Sequence, residues 1–126
     1  RCRLAVGADT GTAHIACAVG TPNVVILWGG HFGRFFPYSP LTSVVCLPLA
    51  CYGCNWQCRY ERWHCGSDIR TEVLAASVEE ALASVSELPR VYLQSPESWS
   101  SSSNEPAWEM FERFVDYRSV TLIPVG

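Results

Sequence analysis

Apolar residues along this chain fall in short blocks separated by glycine and proline. Residues 3–8 (RLAVGA) form a mostly apolar run ending at Asp9, the pattern of a buried strand. Residues 12–19 (TAHIACAV) are alanine-rich and stop at Gly20, which predicts a helix closed by a glycine. Thr21-Pro22-Asn23 reads as a turn, and residues 24–28 (VVILW) as a fully buried parallel strand. The stretch 29–40 (GGHFGRFFPYSP) mixes glycine, proline and aromatic residues and reads as a loop. Residues 43–47 (SVVCL) read as another strand. Ser77-Val78-Glu79-Glu80 has the form of a capping box and predicts a helix to about 88. Its apolar face would be Val78, Ala81, Leu82, Val85 and Leu88, ending before Pro89. Residues 94–106 read as an exposed linker, 107–116 as a short amphipathic helix and 119–125 as a strand. This order predicts an α/β domain with a mostly parallel sheet.

Composition narrows the chemistry. The 126 residues suffice for one domain, and 48% are hydrophobic, enough for a packed core. A first residue Arg1 and a single methionine, Met110, fit a piece of a longer chain. A net charge of −3 argues against a general nucleic-acid binder. All nine basic residues are arginine, so a phosphate loop of the Walker type, which needs lysine, is excluded. Residues 10–33 carry no charged side chain, but glycines and a proline interrupt them before they reach the length of a membrane span.

Asp9-Thr10-Gly11-Thr12-Ala13-His14 joins the first predicted strand to the first helix. In open α/β sheets, ligands bind beyond the C-terminal strand ends. A helix start there presents unpaired N–H groups and the positive end of its dipole. Thr10 can cap the helix, Gly11 admits a phosphate to the backbone, Asp9 can accept bonds from sugar hydroxyls, and His14 lies four residues after Thr10 on one side of the helix. The same residues also suit a plain helix-capping turn.

Seven cysteines are many for this length. Cys2, Cys17 and Cys46 lie in apolar stretches, while Cys51, Cys54, Cys58 and Cys65 share one loop. Without secretory features, such clustering points to metal before disulfides. Four thiolates close the tetrahedral shell of a structural zinc, and Tyr52-Gly53 suits the turn between the first pair. Structural zinc can contribute about 10–16 kcal/mol to folding. Iron also accepts such a set, and His64 can stand in for Cys65. Reduced, unligated thiols and adventitious disulfides remain alternatives. So does a zinc-ribbon module binding nucleic acid through Arg59, Arg62, Arg70, Trp56 and Trp63, although Glu61, Asp68 and Glu72 cancel its charge.

The run from Asp9 to Gly29, with its Asp-Thr-Gly-x-x-His-x-Ala turn, Gly-Thr-Pro turn and apolar strand ending in glycine, resembles the signature of glycosyltransferase family 9, the heptosyltransferases. The aromatic loop, the cysteine cluster and the helix at 77–88 extend the resemblance over about residues 3–88. It implies a Rossmann-like parallel-sheet domain, the C-terminal half of the two-domain GT-B arrangement, with a Cys-rich metal loop. Residues 1–88 would be the nucleotide-sugar-binding domain, with the loop at 48–68. Residues 89–106 would be a linker, and 107–126 a helix and strand that could open a further domain.

By the same resemblance, Asp9 would hold the sugar, Thr10, Gly11 and Thr12 the diphosphate, and His14 would support it. The implied reaction is inverting transfer of heptose or a related sugar from an ADP-heptose-like donor to a lipopolysaccharide-type or protein acceptor. The catalytic base and acceptor site would lie in an N-terminal domain outside this sequence. The metal would be structural, zinc ahead of iron, with no catalytic metal and no nucleic-acid partner. The implied location is the cytoplasm, with at most peripheral contact with the inner membrane of a bacterium. A non-catalytic module binding phosphate or nucleotide sugar, with a structural metal, is the alternative. The strand near the C-terminus also resembles the opening strand of a GT-A family 2 enzyme.

Overall fold

The computed structural model describes residues 2–31, 34, 39–49, 51–94 and 117–125. Among them the chain runs β1 (Ala5–Ala8), α1 (Gly11–Ala18), β2 (Asn23–Ile26), β3 (Thr42–Cys46), α2 (His64–Ser67), α3 (Thr71–Ala83), β4 (Arg90–Gln94), a 3-10 turn (Tyr117–Ser119) and β5 (Thr121–Val125). The strands form one five-stranded sheet in the order β1-β2-β3-β4-β5. Every neighbouring pair is parallel, with Ala8 beside Ile26, Ile26 beside Val45, Cys46 beside Leu93, and Leu93 beside Pro124. This is the expected α/β, Rossmann-like architecture.

Parallel strands buried on both faces need apolar sequence, and residues 24–26, 44–46 and 91–93 of β2 to β4 supply it, with polar residues at the strand ends. Alternate residues divide between two cores. Val24, Val45 and Tyr92 pack against Val73 of α3, with Leu74, Val78 and Ala81 beside them. Val44, Cys46, Val91 and Leu93 pack instead with Leu49, Tyr52 and Val120, joined by Cys51 and Cys65. The cysteine loop therefore covers one face of the sheet while α3 covers the other.

α1 ends as its sequence predicts. Gly20 takes φ 71°, and the amides of Gly20 and Thr21 return to the carbonyls of Cys17 and Ala16. The second helix departs from expectation. It spans Thr71–Ala83, so Ser77 lies inside it and its hydroxyl donates to the Leu74 carbonyl at 2.7 Å. Ser77 is wholly buried, whereas Val85 and Leu88, expected on the apolar face, are exposed. The start at Thr71 is fixed by tertiary contact: Gln94 in β4 accepts from the Arg70 amide and donates to the Asp68 carbonyl, both at 2.8 Å.

Residues 90–94, expected to belong to the linker at 89–106, form instead the buried strand β4. Its Tyr92 hydroxyl donates to the Glu80 carboxylate. Residues 121–125 join the same sheet as β5, where Pro124 is tolerated at an edge. The expected linker beyond residue 94, the helix at 107–116 and the aromatic residues Phe32, Phe35, Phe36 and Tyr38 lie outside the described residues. Among the described residues, no helix is long and apolar enough to cross a membrane.

Candidate functional site

Two places collect the chemistry, both at the C-terminal edge of the sheet. The first is the turn from β1 into α1. Asp9 follows the last residue of β1 and is half-buried. Thr10, Gly11, Thr12 and His14 are exposed, while Ala13 and Ala16 face inward and seat α1 on the sheet. The Thr10 amide donates to the Ala8 carbonyl at 2.9 Å, and the Ala13 amide to the Thr10 carbonyl at 3.1 Å, so the chain turns tightly into the helix.

Thr10 occupies the N-cap position with extended backbone, but its hydroxyl makes no capping bond. The expected cap is therefore absent, and Thr10 is exposed. A Cβ built on Gly11 would meet nothing within 4 Å, so the backbone there is open to approach. The five residues predicted from sequence are thus brought onto one accessible turn at a helix start.

The second place is the cysteine loop. Residues 47–49 continue β3 into the core, and the chain then doubles back over the end of β2. The Gly53 amide donates to the Gly29 carbonyl at 2.7 Å, and the Asn55 amide to the Gly30 carbonyl at 3.0 Å. These bonds dock the Cys51–Cys54 knuckle on the two glycines after β2. Gly53 takes φ 85°, the turn geometry expected for it. Asn55 and Trp56 also have positive φ, at 54° and 63°. For a residue as bulky as tryptophan this conformation is uncommon and strained. It lays the Trp56 ring where a side chain on Gly30 would otherwise stand.

Cys51, Cys54, Cys58 and Cys65 all line one cavity of about 30 Å³, together with Trp28, Trp56, Trp63 and His64. All four are free thiols. Burial first, then the nearby Cys65, Cys54 and Cys58, push the Cys51 thiol above its ordinary value. Burial likewise raises Cys65, although the Gly29 amide, which donates to its sulfur, works in the opposite direction. Among the described residues, no three histidine, cysteine or acidic side chains converge closely enough to hold an ion as they stand. The backbone framework brings the four thiols to one cavity; a shell would require their side chains to turn inward.

The cavity's support was not read from the sequence. Asp68 binds His64 Nδ1 at 2.7 Å and Arg62 at 2.7 Å, and accepts from the Ser67 hydroxyl at 3.2 Å. Burial alone would raise the Asp68 carboxyl, but the His64 hydrogen bond and the Arg62 and His64 charges outweigh it and hold it below the usual carboxylate value. The spacing of His64 and Asp68, one helical turn, was the available signal. Trp28 meets Trp63 edge-on with ring centres 5.3 Å apart, Trp56 lies 6.5 Å from Trp28, and His31 lies 5.7 Å from Trp56. Arg34, in the glycine-rich stretch after β2, is exposed.

The family model of glycosyltransferase family 9 (heptosyltransferase) matches residues 1–64, a span from the first residue through the Asp9–His14 turn to the start of α2. No curated protein and no solved structure matches the chain.

Proposed function

The chain belongs to glycosyltransferase family 9, and we propose from that premise that it is the nucleotide-sugar-binding half of an inverting glycosyltransferase. The observation that carries this reading is the place of the Asp9–His14 turn: inside the matched span, at the C-terminal end of a parallel strand, opening a helix with its backbone accessible. There the first amides of α1 are oriented to meet a diphosphate, and the helix dipole favours its charge. Gly11 and Thr12 offer backbone donors, and Thr10 adds a hydroxyl left unused by capping. His14 would donate to a diphosphate oxygen. Asp9 would accept from hydroxyls of the sugar, at a remove from the phosphates that its charge repels.

The donor in this proposal is an ADP-heptose-like nucleotide sugar and the acceptor a lipopolysaccharide-type glycan or a protein. The catalytic base is assigned to a facing domain of a GT-B arrangement and to no residue of this chain. The isolated chain is expected to bind donor weakly and transfer no sugar.

Titration with ADP-, UDP- and GDP-sugars tests this. One nucleotide series should bind. Asp9→Ala and His14→Ala should each weaken it about 10- to 100-fold, the loss of one hydrogen bond to a charged group. Equal binding by both variants and the parent would overturn the assignment of the turn. Sugar transfer by the chain alone would overturn the assignment of the base.

We also propose that the cysteine loop holds a structural metal ion, zinc before iron. Support comes from the donor set, Cys51, Cys54, Cys58 and Cys65 around one cavity, soft thiols of the kind these ions prefer. A bound ion would tie the loop together over the sheet face that it covers.

A further inference from the structure

We propose that the exposed rings of Trp56 and Trp63 form a platform for one sugar ring of the acceptor, beside the donor turn. The inference rests on the glycosyltransferase reading above and selects a glycan acceptor over a peptide.

The first observation is how the rings are held. A Cβ on Gly30 would lie 2.3, 2.5 and 2.6 Å from three atoms of the Trp56 indole, so that ring lies flat on the glycine backbone. One face is thereby covered and the other turned outward, and Trp56 is 52% exposed. Its backbone holds φ 63°, a conformation that a bulky residue keeps only where its surroundings impose it. Trp28 lies against Gly66 in the same way. It is the hub between the two outer rings, 6.5 Å from Trp56 and 5.3 Å from Trp63, and Trp63 is 57% exposed. Large apolar side chains that cluster in fixed positions yet stay in water mark a binding surface.

The second is position. β1 and β2 are parallel neighbours with Ala8 beside Ile26, and two residues further on stand Thr10 and Trp28. The aromatic cluster therefore begins on the strand end next to the Asp9–His14 turn. Sugar transfer needs the acceptor hydroxyl at the anomeric carbon of the donor, so donor and acceptor must share this edge of the sheet.

The third is chemistry. A pyranose presents a flat patch of C–H bonds with hydroxyls around its perimeter. The patch fits the electron-rich face of an indole, which attracts the weakly positive hydrogens. Around the rings the surface is polar, with Asn55, Gln57, Arg59 and Glu61 exposed. An extended peptide is captured by pairing with a free strand edge, whereas β2 is already paired on both sides, by β1 and β3. The cavity beneath is about 30 Å³, far below the roughly 300 Å³ of pockets that enclose a ligand, so the sugar lies across the rings and not under them.

Saturation-transfer NMR of the chain with methyl glycosides of glucose, galactose and a heptose tests the proposal. At least one should bind at millimolar concentration, with saturation strongest on the C–H protons of one ring face. Trp56→Ala and Trp63→Ala should each weaken it about 2- to 10-fold, and Trp63→Phe should restore most of the loss. Both alanine variants should keep the parent's affinity for nucleotide sugar, and circular dichroism checks that each folds. No response to any glycoside, or an equal response from the parent and both alanine variants, would overturn the platform. A response lost only in Asp9→Ala would place the glycoside in the donor turn, which overturns the platform and leaves the glycosyltransferase reading standing. Dimerisation that Trp63→Ala abolishes, without a glycoside response, would give the face to a second copy of the chain instead. Failure of the parent to bind any nucleotide sugar, with a glycoside response that depends on Trp56 and Trp63, would overturn the donor turn and leave the platform standing.

Discussion

At the scale of single residues, six of the seven cysteines occupy three environments. Cys2 is exposed, Cys46 is fully enclosed between β2 and β4, and the four loop thiols line a cavity. Burial pushes the Cys46 thiol far above the range in which it ionises. Since the thiolate is the reactive form, Cys46 should resist maleimide in the native state and label only on unfolding, while Cys2 labels at once. Peptide mass spectrometry after a short pulse would show this, and native labelling of Cys46 would contradict the buried position. Gly66 makes a second residue-scale case. A side chain there would meet the Trp28 ring at 2.7 Å. Gly66→Ala should therefore cost about 1–3 kcal/mol by overpacking. Urea unfolding followed by tryptophan fluorescence would measure it.

At the scale of elements, α3 shows how a local signal is overruled. Ser77-x-x-Glu80 has the spacing of a capping box, yet the helix starts six residues earlier. The apolar period that justified the box is real: Val78 and Ala81 face the sheet, but so do Val73 and Leu74 ahead of them. A capping serine replaced by alanine costs about 1 kcal/mol, whereas a mid-helix serine bonded back to a carbonyl gains helix propensity when replaced. Ser77→Ala should accordingly change stability by less than about 0.5 kcal/mol, in either direction, in a denaturant titration. A loss of 1 kcal/mol or more would speak for the capping role. The cysteine loop is the complementary case, since its sequence shows the ligand types but not the backbone bonds to Gly29 and Gly30 that dock it.

At the scale of the whole molecule, Gln94 ties the cysteine loop to the sheet, receiving the Arg70 amide and reaching the Asp68 carbonyl from the last residue of β4. Gln94→Leu would remove both hydrogen bonds and should cost about 0.5–1.5 kcal/mol for each. The melting temperature should fall, and metal affinity should fall with it if α2 is displaced. The sequence by itself determined the α/β class, the parallel strands β1 to β3, the glycine end of α1 and the candidate turn at Asp9–His14. These depend on apolar runs, turn residues and helix signals a few positions apart. The sequence also put four cysteines in one loop. Only the tertiary structure decided that residues 90–94 are a central strand, because a run as short as Arg90–Gln94 is stabilised by neighbours distant in the chain. Tertiary contacts likewise set the start of α3, through Gln94, and the use of the cysteine loop as a cover for one sheet face. They also set Asp68 behind His64, at a distance and angle that spacing along the chain allows but does not fix.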